Sequence, residues 1–196
     1  MALRIKNRWF DKSKERSDEE LGGIMAFITW RIANNQLKKM REAQFEIEVG
    51  PQYFAFLEEF AIFLATVVDR IVFSQIDVYR RITFTSSLVK HMAGTLEESK
   101  EEWLGKPEPG QQPWGVQFIE KFNQANDAYR DFPAVAEEPS FALVRYFGSR
   151  LEAVLPPKDH FWIKDQLYSY EVPEAMTLIR RGLKGMFTPN ELTQAR

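Results

Sequence analysis

Five polar side chains, Glu58, Glu59, Thr66, Asp69 and Arg70, interrupt an otherwise apolar run from Tyr53 to Phe73. Carboxylates on a buried helix are costly unless they are paired or hold a metal. A helical di-iron bundle is therefore the first chemistry to test. At about 100° per residue, these five fall in one sector roughly 120° wide, shared with Ile62 and Phe73. A di-iron site also requires a Glu three residues before a His on each of two helices. The chain has two histidines, and the residues three before them are Leu88 (for His91) and Pro157 (for His160), so the requirement fails at both. A carboxylate-only site is the residual form of the idea. The plainer expectation is that Glu58, Glu59, Asp69 and Arg70 form the solvent edge of the helix, some of them pairing with Arg80, Arg81 or Arg31.

His91 is the second chemical candidate, as a haem ligand or general base. It lies beside Lys90 on a half-polar segment, where a lone histidine more often serves as a surface or capping group. His160 follows Pro156-Pro157-Lys158-Asp159 at an expected helix start, with Asp159 or a backbone group as its partner. No Gly-x-Ser-x-Gly elbow occurs, and neither Gly22-Gly23 nor Gly182-Leu183-Lys184-Gly185 has the flanks of a phosphate loop. With zero cysteines, thiolate metal sites, iron–sulfur clusters and cysteine nucleophiles are excluded together. No catalytic residue, metal site or cofactor is assigned from the sequence.

The elements that must position these groups are helices. The chain has 196 residues, 44% hydrophobic, with 16 Phe and 5 Trp, enough for one thick core. Ser17-Asp18-Glu19-Glu20 reads as a capping box, and Leu21, Ile24, Met25, Ile28 and Ile32 follow at helical spacing to an end near Gln44. Gly50-Pro51 opens the next helix, which is apolar around most of its circumference. Asp77 starts a third, unless Ser74 to Asp77 is only a kink, Pro113 to Tyr129 is a fourth, Ser140 to Leu155 a fifth, Asp159 to Tyr168 a sixth, and Pro173 opens a seventh. A last turn is expected from Thr188. The fold class is thus all-α: an irregular helical bundle of six to seven helices around a central, mostly buried helix at residues 53–73. The domain reading is a basic extended arm at 1–16, then a single helical domain, 17–196, with a Pro/Gly-rich loop at 105–113. Trp103 and Trp114 flank that loop and are expected to pin it to the core.

The arm carries six basic residues against two acidic, a net +4, while the whole chain is −2. So small a net charge makes nucleic acid an unlikely partner. Leu3, Ile5 and Trp9 alternate with Arg4, Lys6 and Arg8, which suits an extended strand laid onto a neighbouring subunit. The longest apolar stretch, Phe60 to Val68, has nine residues where a membrane span needs about 20, and the start of the chain has no apolar run of a signal peptide. A soluble, cytoplasmic protein without membrane contact is expected. The leading functional expectation is a non-enzymatic interaction or regulatory module that self-associates as a homo-oligomer, with a protein partner as a further option. The alternative is an aromatic-lined internal pocket for an apolar ligand or cofactor, contacted by Glu58, Asp69 or His91.

Overall fold

A computed structural model describes residues 16–133 and 138–187, and among them every regular element is helical. The order is α1 (Asp18–Glu42), α2 (Pro51–Phe73), α3 (Val78–Leu104), α4 (Trp114–Tyr129), α5 (Phe141–Glu152), α6 (His160–Gln166) and α7 (Val172–Leu183). The expected last turn from Thr188 lies outside the described residues, as does most of the arm.

Local chemistry accounts for the boundaries. Ser17 and Glu20 form the full capping box of α1, at 3.1 Å in each direction. Asp77 caps α3 by accepting from the Tyr79 and Arg80 amides. The first helix stops two residues short of the expected end. Phe45 N–H donates to Met40 O and Gln44 N–H to Arg41 O, a Schellman closure with Gln44 at φ 68°. That left-handed position usually holds Gly or Asn, so a Gln there hid the stop. The sixth and seventh helices form one rod. Pro173 cannot donate to the carbonyl four residues back and would clash with it. The turn Leu167–Glu171 before it widens to a π turn, and the chain continues without a break.

α2 is the centre, with sixteen of its 23 residues buried. α1 and α3 run parallel to each other and both pack on α2, α4 packs on α3 and α2, α5 packs on α2, and α7 packs on α1. α1 and α3 touch at Gly22, where a Cβ would stand 2.4 Å from Phe84 O and 2.8 Å from Ser87 Cβ. Only glycine allows that approach. The Ser87 hydroxyl ties the same crossing by donating to Glu19 O at 2.7 Å.

The stripe on α2 is not a wet edge, and this corrects the expectation from the sequence. Glu58 is 2% and Asp69 4% exposed. Each charged residue of the sector instead reaches another element. Glu58 is gripped by Lys100 of α3 and Lys121 of α4. Glu59 accepts from Arg150 of α5 at 2.6 and 3.0 Å. Asp69 takes two bonds from Arg81, 2.9 and 2.5 Å, and one from the Thr85 hydroxyl at 2.6 Å. Arg70 donates to the carbonyls of Tyr129, Phe132 and Pro133, satisfying the C-terminal end of α4. Thr66 donates to Ile62 O within α2. Of the three arginines expected to pair here, Arg81 does so. Arg80 pairs with Asp18 at 2.8 Å, and Arg31 lies over the Phe27 ring at 5.6 Å. The stripe is therefore an ion-pair seam that fixes α3, α4 and α5 around α2.

Among the described residues, no helix is long and apolar enough to cross a membrane.

Candidate functional site

The three residues singled out as ligand contacts do not share a site. Glu58 and Asp69 have the separate partners just given. His91, exposed on α3, places its Nδ1 2.9 Å from Ser87 O and rests its ring against Gly23 of α1. A histidine Nδ1 in that position donates its proton to the carbonyl, and the ring then serves as a spacer between α1 and α3. His160 meets a backbone group, Leu155 O at 3.0 Å, while Asp159 accepts from the Glu46 amide at 2.8 Å. Among the described residues, no group of three or more His, Asp or Glu side chains is close enough to hold a metal. Leu3, Ile5 and Trp9, the expected interface residues, lie outside the described residues.

Trp114 does pin the loop at 105–113. Its indole N–H donates to Gly105 O at 3.0 Å, and Lys100 Nζ sits 4.3 Å from its ring centroid. Lys100 thereby joins Glu58 and Trp114 in one cluster. Trp103 behaves differently, being 66% exposed.

The surface feature that stands apart is aromatic and belongs to the α6–α7 rod. Phe161 is 83% and Trp162 67% exposed, and Tyr168 and Tyr170 are each more than half exposed. Phe141, at the start of α5, adds a fifth ring in a T-shaped contact with Tyr168, centroids 5.3 Å apart. Single apolar side chains on a surface are ordinary. Five large exposed rings on two adjoining segments need a reason. The inner side of the same rod, Ile163, Leu167, Ala175, Met176 and Ile179, is fully in the core, so the outward rings are not there to hold the rod down. The aromatic surplus was visible in the composition, but which rings face outward was not.

The π turn also buries Glu171. One carboxylate oxygen accepts from Gln166 at 2.8 Å, and the other has no partner in the interior. Burial pushes its pKa up, against the smaller opposing pull of the Gln166 bond and the Lys39 charge. An acid with a raised folded pKa binds its proton more tightly in the native state, so the charged form destabilises the fold. That penalty is absent below the ordinary value of 4.5, grows as pH rises through the raised value and then stays constant. Glu171→Gln should therefore be more stable than the parent at neutral pH. The difference should shrink towards zero below the ordinary carboxylate range. Urea unfolding of both proteins across pH tests this, and a gap independent of pH would refute it.

No family model, no curated protein and no solved structure matches this chain significantly.

Proposed function

We propose that the protein is a non-enzymatic interaction module that self-associates, with two copies meeting through the aromatic face of the α6–α7 rod. The observation that supports this reading is the exposed cluster of Phe141, Phe161, Trp162, Tyr168 and Tyr170. At about 150–250 Å² per aromatic side chain, these rings present roughly 500–800 Å² to solvent. Twofold pairing would hide about twice that, which reaches the ~1,200–2,000 Å² of specific stable interfaces. Large aromatic side chains are also the residues that dominate the centres of interfaces. A net charge of −2 sets little long-range repulsion between copies. A cytoplasmic setting belongs to the proposal, since a chain without cysteine needs no oxidising compartment.

Sedimentation velocity on the full chain tests it. The parent should be dimeric at about 100 µM. The double variant Phe161→Ser, Trp162→Ser should dissociate at least about tenfold more readily with unchanged helicity, because both side chains are exposed and carry no core packing. A parent that stays monomeric at that concentration overturns the reading. So does a dimer insensitive to the double variant. If Ile5→Ser, Trp9→Ser weakens the dimer in its place, the contact is the N-terminal arm and not the aromatic face.

A further inference from the structure

A concave feature lies where α1, the start of α2 and the end of α3 converge. It is a cleft of about 330 Å³, within the ~300–1,000 Å³ range of small-molecule sites. Its floor is the buried Phe54 and Leu57, and its walls are the rings of Trp30, Tyr53 and Trp103. Those rings come from three helices, so the cleft exists only when α1, α2 and α3 are assembled.

The polar groups at its edge are already ordered. Tyr53 Oη donates to Asn34 Oδ1 at 3.2 Å, and Asn34 Nδ2 donates to Trp30 O at 2.9 Å. This rung ties the Tyr53 ring of α2 to α1 beside Trp30. Ser99 donates its hydroxyl proton to Thr95 O at 2.8 Å, which leaves its oxygen lone pairs facing outward as acceptors only. The remaining polar group is Arg41, in the last turn of α1. Among the described residues it is the sole charged one that lines the cleft. Among the described residues it has no carboxylate within ion-pair distance, unlike Lys38 and Lys39 beside it, which pair with Glu42 and Glu174. Its charge nonetheless reaches the Tyr53 hydroxyl, opposing the rise in pKa that burial causes there. The guanidinium therefore addresses the cleft and not a neighbouring acid.

Three aromatic walls and one unspent guanidinium select for a flat molecule with a single negative end. Planar rings stack or meet edge to face with Trp and Tyr, and the Arg fork matches a carboxylate with two parallel hydrogen bonds. A cleft of this volume suits a one- or two-ring compound. We propose that this cleft binds a small aromatic monocarboxylate, its ring between Trp30, Tyr53 and Trp103 and its carboxylate on Arg41.

Titration calorimetry of the full chain with naphthoate, and with its uncharged counterpart naphthylmethanol, decides the matter. The expected result is saturable binding of one naphthoate per chain, with the alcohol at least about tenfold weaker. Arg41→Gln, at an exposed position whose loss breaks no described ion pair, should erase that difference while leaving the alcohol's affinity alone. Trp103→Ala, also exposed, should weaken both ligands. Phe161→Ser, Trp162→Ser should change neither, which separates this cleft from the self-association surface. No saturable binding of naphthoate up to about 1 mM overturns the proposal. Binding that Arg41→Gln leaves untouched overturns it as well.

Discussion

Glu58→Gln is expected to cost about 3–5 kcal/mol of folding stability, seen as a lowered urea midpoint at unchanged slope. The carboxylate is buried between two lysines, and Lys100 on one side is buried with it, its side chain 9% exposed. Removing the negative charge leaves that ammonium in the interior without its counter-charge, facing the Trp114 ring and a neutral amide oxygen. Lys121 is about half exposed and adds little, since solvent screens it. The same reasoning predicts recovery. Replacing both members of the buried pair by apolar residues, Glu58→Leu with Lys100→Met, should regain most of the loss, because neither charge then needs desolvation. A single-variant cost below about 1 kcal/mol would show that the pair is hydrated and that the seam does not fix α3 and α4 to α2.

Phe147→Ala should cost about as much, 3–5 kcal/mol. Its ring is fully buried on α5 and stacks on Phe63 of α2, centroids 4.0 Å apart and planes 3° from parallel. It also meets Phe60 edge to face at 5.1 Å. The loss therefore combines the transfer of one aromatic ring with a cavity that two rigid neighbours cannot fill. Phe60→Ala belongs to the same cluster, and the two costs should depart from additivity by about 0.5 kcal/mol or more. Chemical denaturation of both single variants and the double variant supplies the cycle. Strict additivity would mean that the rings are not in contact in solution.

Much of the architecture was legible in the chain. The capping box at Ser17, the helix start at Asp77, the break at Gly50-Pro51 and the start of α5 at Ser140 all depend on residues within four positions of themselves, so reading neighbours suffices. The central place of α2 followed from apolar residues covering most of its circumference, because a helix of that kind has no other stable position. Reading failed where the deciding partner was chemically unusual or far away. The Gln44 turn takes a conformation that its residue type disfavours, and the π turn before Pro173 kept two helices joined where a proline normally marks a start.

The stripe on α2 shows the division most clearly. Periodicity alone determined that Glu58, Glu59, Asp69 and Arg70 share one sector of one helix, since angular position follows from spacing. Whether that sector met water or protein was decided by residues elsewhere in the chain. Glu58 is buried because Lys100, 42 residues on, arrives from α3 with the opposite charge. Asp69 is buried because Arg81 and Thr85 offer three hydrogen bonds. Which rings of a phenylalanine-rich chain enclose a cleft and which are left outside is settled in the same way. A side chain's type sets what its burial costs, but only the packed neighbours determine whether that cost is offset.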